Sequence, residues 1–308
     1  MKAVLVLIIL LLTVAAFGQD DTIRVETELV RVPVLVSDRD GRYLTGLGLK
    51  DFSVYENGNK QDIEIFETAD TDISLILAID VSGSMLVKQD ELTKAANAFI
   101  SSLRSTDRVK VFGFSDRIFP IRDFATVEEY KKRKSIKLRM DGLPPITEVY
   151  NAVNHAMDKA NETKGRTAIV VLSDGIGDGP SSDSARSITF AQEGNAPIYT
   201  IGFETNEPLR SKYETKKDYS RRMESAAFAK VYLLDLSNSS GGRNFQIEKL
   251  TDLRVTFEEI FAELSHQYTL GYYPNTAGKD GERRKIRVEV DVPNAAVRSR
   301  SEVVFKKK

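Results

Sequence analysis

The stretch Ile73-Ser-Leu-Ile-Leu-Ala-Ile-Asp-Val-Ser-Gly-Ser84 limits what this chain can fold into more than any other. Residues 73 to 79 are almost wholly apolar and do not alternate, the pattern of a strand covered on both faces. Such strands belong to parallel sheets whose connections pass through helices. Three oxygen-bearing side chains, Asp80, Ser82 and Ser84, then follow at alternate positions on a glycine-containing turn. In open α/β sheets, ligands bind at the C-terminal edge of the strands, where this turn is expected. A hard cation such as Mg²⁺ takes oxygen ligands in near-octahedral array, so the turn is a candidate for part of a metal site.

The chain downstream fits an α/β body. Leu92, Ala96, Phe99 and Leu103 share one helical face, and Arg108–Phe114 reads as a strand, with alternating polar residues that predict an edge position. Residues 127–139 read as a charged surface helix. Thr147 precedes a helix whose apolar stripe is Val149, Ala152, Val153, Ala156 and Met157. Two more buried strands are expected, at Ala168–Leu172, which runs into Ser173-Asp174-Gly175, and at Pro197–Phe203. Ser184–Glu193 reads as a helix and residues 204–224 as a surface excursion. A helix within 245–265 closes the region, with Val255, Ile260, Phe261 and Leu264 as its core positions.

Both flanks are β. Residues 24–36 are rich in valine and read as one or two strands, with Pro33 pointing to an edge or a bulge. Asp51–Tyr55 and Asp62–Phe66 are short strands joined through Asn57-Gly58, a strong hairpin signal. After Gln267 come strands at 268–273, 285–292 and 302–305. Each flank alone is too small to bury a good core. The expected architecture is α/β: a doubly wound, mostly parallel sheet over residues 71–265, inserted into a β-sandwich built from 19–70 and 266–308.

Lys2, the apolar run Ala3–Phe17 and small residues at Ala16 and Gly18 make residues 1–18 a signal peptide. The run is shorter than the ~20 residues of a spanning helix, so membrane contact is expected only if this segment is retained. The chain has no cysteine, which excludes thiolate metal sites, cysteine nucleophiles and disulfides. An exported, cysteine-free chain suits a bacterial periplasmic, cell-surface or secreted protein. With 29% charged residues and a net charge of −1, no bulk attraction to nucleic acid is expected. The basic runs 131–134 and 306–308 read as a solvated helix face and tail.

The set Asp80-x-Ser82-x-Ser84, a later Thr147 and a later Asp174-Gly175 resembles the von Willebrand factor A domain and its metal-ion-dependent adhesion site. The likeness covers about residues 71–265. With Leu49–Gly58 before it and Tyr268–Pro274 after it, the chain is also similar to the secreted, acidobacterial-type bacterial proteins related to that domain. A departure is Leu143-Pro-Pro-Ile146, where the family commonly has glycines before the threonine. The resemblance implies metal contact by Ser82, Ser84 and Thr147, with Asp80 and Asp174 acting directly or through water. The implied ion is Mg²⁺, or Mn²⁺ or Ca²⁺, and the implied partner is a protein presenting an acidic side chain. Two carboxylates and three neutral hydroxyls leave a cation under-neutralised and able to accept that group.

Enzyme chemistry finds less support. Ser82 stands where a phosphatase of the Asp-x-Asp type needs its general acid. No phosphate-binding loop sequence follows any strand. The only histidines, His155 and His266, lie on or at the end of expected helices, and no nucleophile elbow is present. The chain is therefore expected to be a binding module and not an enzyme; the alternatives are a metal-dependent hydrolase of another type and a scaffold with a vestigial metal site. Ser82 and Ser84 could also serve merely as helix caps, with Asp174-Gly175 an ordinary turn.

Overall fold

A computed structural model describes residues 28–82, 85, 88–139, 148–173, 182–203 and 215–306. At its centre is a six-stranded sheet in the order β10-β9-β8-β5-β6-β7. The strands are β5 (Ile73–Asp80), β6 (Arg108–Phe114), β7 (Ile118–Thr126), β8 (Arg166–Ser173), β9 (Ile198–Phe203) and β10 (Asn244–Ile247). All neighbours are parallel except β6 and β7. Every residue of β5 is buried. Its odd-numbered residues pack with α1 (Gln89–Ser102) and α6 (Leu253–Leu264). Ile76 and Ala78 pack on the other side with α3 (Val149–Asn161) and with α5 (Lys216–Ser240). A strand with helices on both faces has no use for polar alternation, which is why its sequence is continuously apolar.

Two antiparallel four-stranded sheets accompany this body, in the orders β13-β1-β11-β4 and β14-β12-β2-β3. The first holds β1 (Val30–Ser37), β4 (Ile63–Glu67), β11 (Tyr268–Tyr272) and β13 (Ala296–Ser299). The second holds β2 (Phe52–Glu56), β3 (Asn59–Gln61), β12 (Arg283–Val290) and β14 (Glu302–Val304). Each draws strands from both flanks, and side chains of both sheets gather in one apolar cluster that includes Val32, Val54, Leu270 and Val288. Across that cluster Tyr272 donates to Glu56 at 2.8 Å, and Glu56 pairs with buried Arg284 at 2.6 Å.

The chain leaves the antiparallel sheets after β4 and returns at β11, and these two strands pair directly, Glu67 opposite Thr269. Arg166, 4% exposed, spans the two crossings. It donates to the carbonyls of Thr71 at 2.8 Å and Ala69 at 3.3 Å on the outward crossing, and to Leu264 at 2.6 Å on the return. Arg300, also buried, donates to the carbonyls of Gly194 and Gln192 just past and within the end of α4 (Ser182–Glu193). Glu263 on α6 is gripped by Arg243 and by Arg298 of β13.

Several expectations are corrected. Arg108–Phe114 is an interior strand, because the antiparallel β7 covers it; Lys110 stays polar by reaching Asp123 on that neighbour. The helix expected over 127–139 ends at Lys132 as α2 (Val127–Lys132), started by Thr126, whose hydroxyl accepts from Glu129. Beyond it Ile136 and Leu138 are buried while Ser135, Lys137 and Arg139 are exposed, the alternation of an extended segment. Residues 216–224, expected as part of a surface excursion, form the first turns of a 25-residue helix that runs on to Ser240. The closing segment contains strand β10 before its helix, and Val255 is 46% exposed, outside the core. Asn57-Gly58, both at positive φ, turns β2 into β3, while β4 lies in the other sheet. Pro33 lacks an N–H where β1 is flanked only by β11, since pairing with β13 begins at Val34.

Candidate functional site

The C-terminal edge of the central sheet is where the sequence motif falls. Asp80 is the last residue of β5 and is fully buried. Its Oδ1 accepts from the Ser82 backbone N–H at 2.9 Å, and its Oδ2 accepts from the Ser173 hydroxyl at 2.7 Å. The first bond is an Asx-type turn that folds the chain back directly after the strand. The second ties β5 to the end of β8, its parallel neighbour. Ser82 is likewise fully buried, and its carbonyl accepts from the Met85 N–H at 2.9 Å. Helix α1 begins only at Gln89, so Ser82 is not at that helix's N-cap position.

The end of β6 closes the same edge. Val81 N–H donates to the Phe114 carbonyl at 2.8 Å, which carries the β5–β6 ladder one residue beyond Asp80. Ser115, fully buried, accepts at its carbonyl from the Glu148 N–H at 2.8 Å. The start of α3 is thereby fixed beside β6. From the far side of the edge Lys88 places its Nζ 4.3 Å from the ring of Phe203, the last residue of β9.

Of the residues singled out in the sequence, Asp80 and Ser82 are brought together here. Ser84, Thr147 and Asp174 lie outside the described residues. Their chain neighbours Ser173 and Glu148 stand at this edge. Asp116 is exposed. The buried Ser173 hydroxyl and the backbone of buried Ser115 join the site without having been expected. Ser173 could have been found from its place between a buried strand and Asp174; Ser115 has no local signal.

The donor set is all oxygen. Among the described residues no group of three or more histidine, cysteine, aspartate and glutamate side chains gathers. A cation at this edge would meet one described carboxylate and neutral hydroxyls, a hard and weakly charged environment suited to Mg²⁺ and poorly suited to softer ions. The histidines have packing roles: His155 meets Phe112 edge-on at 5.0 Å, and His266 stacks on Tyr43 at 5.2 Å.

The family model for the von Willebrand factor type A domain matches residues 74–230, from the second residue of β5 into α5. The chain belongs to the von Willebrand factor type A domain family. Two solved structures similar to it are a von Willebrand factor type A protein from Catenulispora acidiphila and the ArnB paralog VWA2 from Sulfolobus acidocaldarius. The first is 12% identical with a TM-score of 0.47, over 92% of this chain and 75% of that one. The second is 14% identical with a TM-score of 0.46, over 91% and 76%. An aerotolerance-related membrane protein from Bacteroides fragilis is 13% identical with a TM-score of 0.46, over 62% of this chain and 98% of that one. No curated protein matches the chain. Among the described residues of this von Willebrand factor A protein, no helix is long and apolar enough to cross a membrane.

Proposed function

We propose that this von Willebrand factor A protein is a metal-dependent binding module, not an enzyme. In this reading Asp80, Ser82, Ser84, Thr147 and Asp174 hold a divalent cation, Mg²⁺ or else Mn²⁺ or Ca²⁺, at an adhesion-type site. Through it the protein grips an acidic side chain of a protein partner. The observation that supports this best is the wholly buried Asp80 at the strand end, its two oxygens oriented by Ser82 N–H and Ser173. Fixing both carboxylate oxygens by hydrogen bonds is how ligating groups are held for a metal. Ser84, Thr147 and Asp174 enter on the sequence motif and on the position of their neighbours at the same edge.

The two antiparallel sheets are proposed to act as one β-sandwich, residues 19–70 with 266–308, into which residues 71–265 are inserted. The N-terminal sequence supports export, with the mature protein periplasmic, cell-surface or secreted. Similarity to the acidobacterial-type secreted proteins rests on the sequence segments named above.

Titration calorimetry with Mg²⁺ tests the metal. Wild type is expected to bind one equivalent, and Asp80→Ala and Thr147→Ala to bind weakly or not at all while keeping the far-ultraviolet circular dichroism of wild type. Equal binding by all three would sink the proposal. Capture of partners from a native envelope with and without EDTA then tests whether the grip is metal-gated.

A further inference from the structure

A groove of about 320 Å³ opens beside the candidate metal edge, between the first half of strand β7 and the extended segment 133–139. Val81, the residue after Asp80, lines it together with Phe119, Ile121 and Ile136. Gly113 keeps this floor open: a Cβ there would stand 3.0 and 3.1 Å from the Val81 methyls. The facing wall is fixed in place. Asn97 on α1 accepts from the Ile136 N–H at 2.9 Å and donates to its carbonyl at 3.0 Å, and Arg122 donates to the Lys134 carbonyl at 2.8 Å.

The rim is cationic, with Arg122, Lys137 and Arg139 lining it and no acidic residue doing so. Arg133 and Lys134 extend the same run. None of these five makes an ion pair among the described residues, whereas the nearby Lys110 and Lys132 each do. In a chain of net charge −1 this is a local concentration of positive charge, unpaired among the described residues, beside an apolar slot. Charge complementarity selects an anionic occupant. The apolar floor selects against a purely polar polyanion, which would desolvate that surface without filling it.

The geometry points to this groove as the docking site for an extended acidic segment of the protein partner. One aliphatic side chain seats on half-buried Phe119 and Ile121, over buried Val81 and Ile136, and flanking carboxylates meet exposed Lys137 and Arg139. This rests on the reading of the neighbouring edge as a protein-binding site and gives the partner a second, metal-independent point of attachment.

The test is fluorescence anisotropy of the full chain with a fluorescein-labelled Ser-Glu-Glu-Leu-Glu-Glu-Ser peptide, in Mg²⁺ and in EDTA. The double variant Lys137→Glu/Arg139→Glu should weaken binding about tenfold or more in both buffers, with an unchanged circular dichroism spectrum. Replacing the peptide leucine with serine should weaken binding to wild type by a similar factor. Absence of binding, indifference to the charge reversal, or equal binding of the serine peptide, the mark of a simple polyanion patch, would each overturn the groove. Equal affinity in Mg²⁺ and EDTA supports the groove as a separate attachment and leaves the metal reading to the calorimetry above; affinity lost in EDTA would mean that the peptide binds through the metal edge and would overturn the groove.

Discussion

Replacing Arg166 with methionine should loosen the junction between the α/β body and the antiparallel sheets. The guanidinium is 4% exposed and donates to three carbonyls, two of them at 2.8 and 2.6 Å. Hydrogen bonds from a charged donor are worth about 1.5–3 kcal/mol each, so the two short ones together contribute about 3–6 kcal/mol; the 3.3 Å contact to Ala69 adds little. Against this stands the burial of the charge, which holds the Arg166 pKa below its usual value. A further opposing cost is Nε, which has no hydrogen-bond partner among the described residues; an unmet buried donor costs about 1–3 kcal/mol. Methionine removes both penalties but leaves the Thr71 and Leu264 carbonyls without their donor. The expected net loss is about 2–3 kcal/mol, since replacing buried charge with an apolar side chain recovers part of the deficit. Urea unfolding followed by far-ultraviolet circular dichroism reads this directly, tryptophan being absent. Hydrogen exchange should speed up at residues 69–73 and 264–268 in particular. A variant within about 0.5 kcal/mol of wild type, with unchanged exchange at both crossings, would refute the assignment of Arg166 as a clamp.

Ser173→Ala removes the 2.7 Å bond to Asp80 Oδ2 and should weaken Mg²⁺ binding about tenfold in calorimetry, as loss of an orienting partner does; unchanged affinity would count against the proposed site. Gly242→Ala should cost about 2–3 kcal/mol in the same urea assay, because its Cβ would lie 2.0 Å from the Ile198 carbonyl oxygen, a backbone atom that cannot swing away. His155 has its pKa lowered, chiefly by burial and then by the charges of Lys159 and Lys110. Folding therefore favours the neutral ring, and the unfolded chain takes up the proton first as pH falls. Stability should decline as pH drops from the unfolded value near 6.5 to the lower folded value and level off beneath it, a component that His155→Gln should lack in a series of thermal melts.

What was legible in the sequence follows from how one-sided each element's burial is. β5 and β8 are covered on both faces, so their identity is written as unbroken apolar runs. β7 is an edge strand with register shifts against β6, and Pro120 and Asp123 sit where the strand's outer side needs no partner. Its sequence thus looks like loop. Helix α5 hides for another reason: its first half has no fully buried position among the described side chains, and its buried stripe of Ala229, Tyr232, Leu233 and Leu236 starts only in the second half. At the site, Asp80 and Ser82 stand in a spaced motif on a conspicuous strand. Ser173 stands beside Asp174 at a strand end, but its bond to Asp80 arises from the lateral placement of β8 against β5, and Ser115 enters through its backbone at the end of β6.

The direct pairing of β4 with β11 has a mechanical consequence. Because Glu67 and Thr269 face each other across one ladder, a pull applied between the two β flanks is shared by the β13-β1-β11-β4 and β12-β2 hydrogen bonds, which lie side by side and bear load in shear. The α/β body lies between those paired strands in the chain and is held to the sheets from the side, by Arg166, Arg298 and Arg300. If the ligand is held at the far edge of the α/β body, the force from the ligand enters through the paired crossings at Thr71 and Leu264, and the two resist it together. Such a chain could be stretched end to end without distorting the edge that holds Asp80, while a pull on that edge would be felt at once by Arg166.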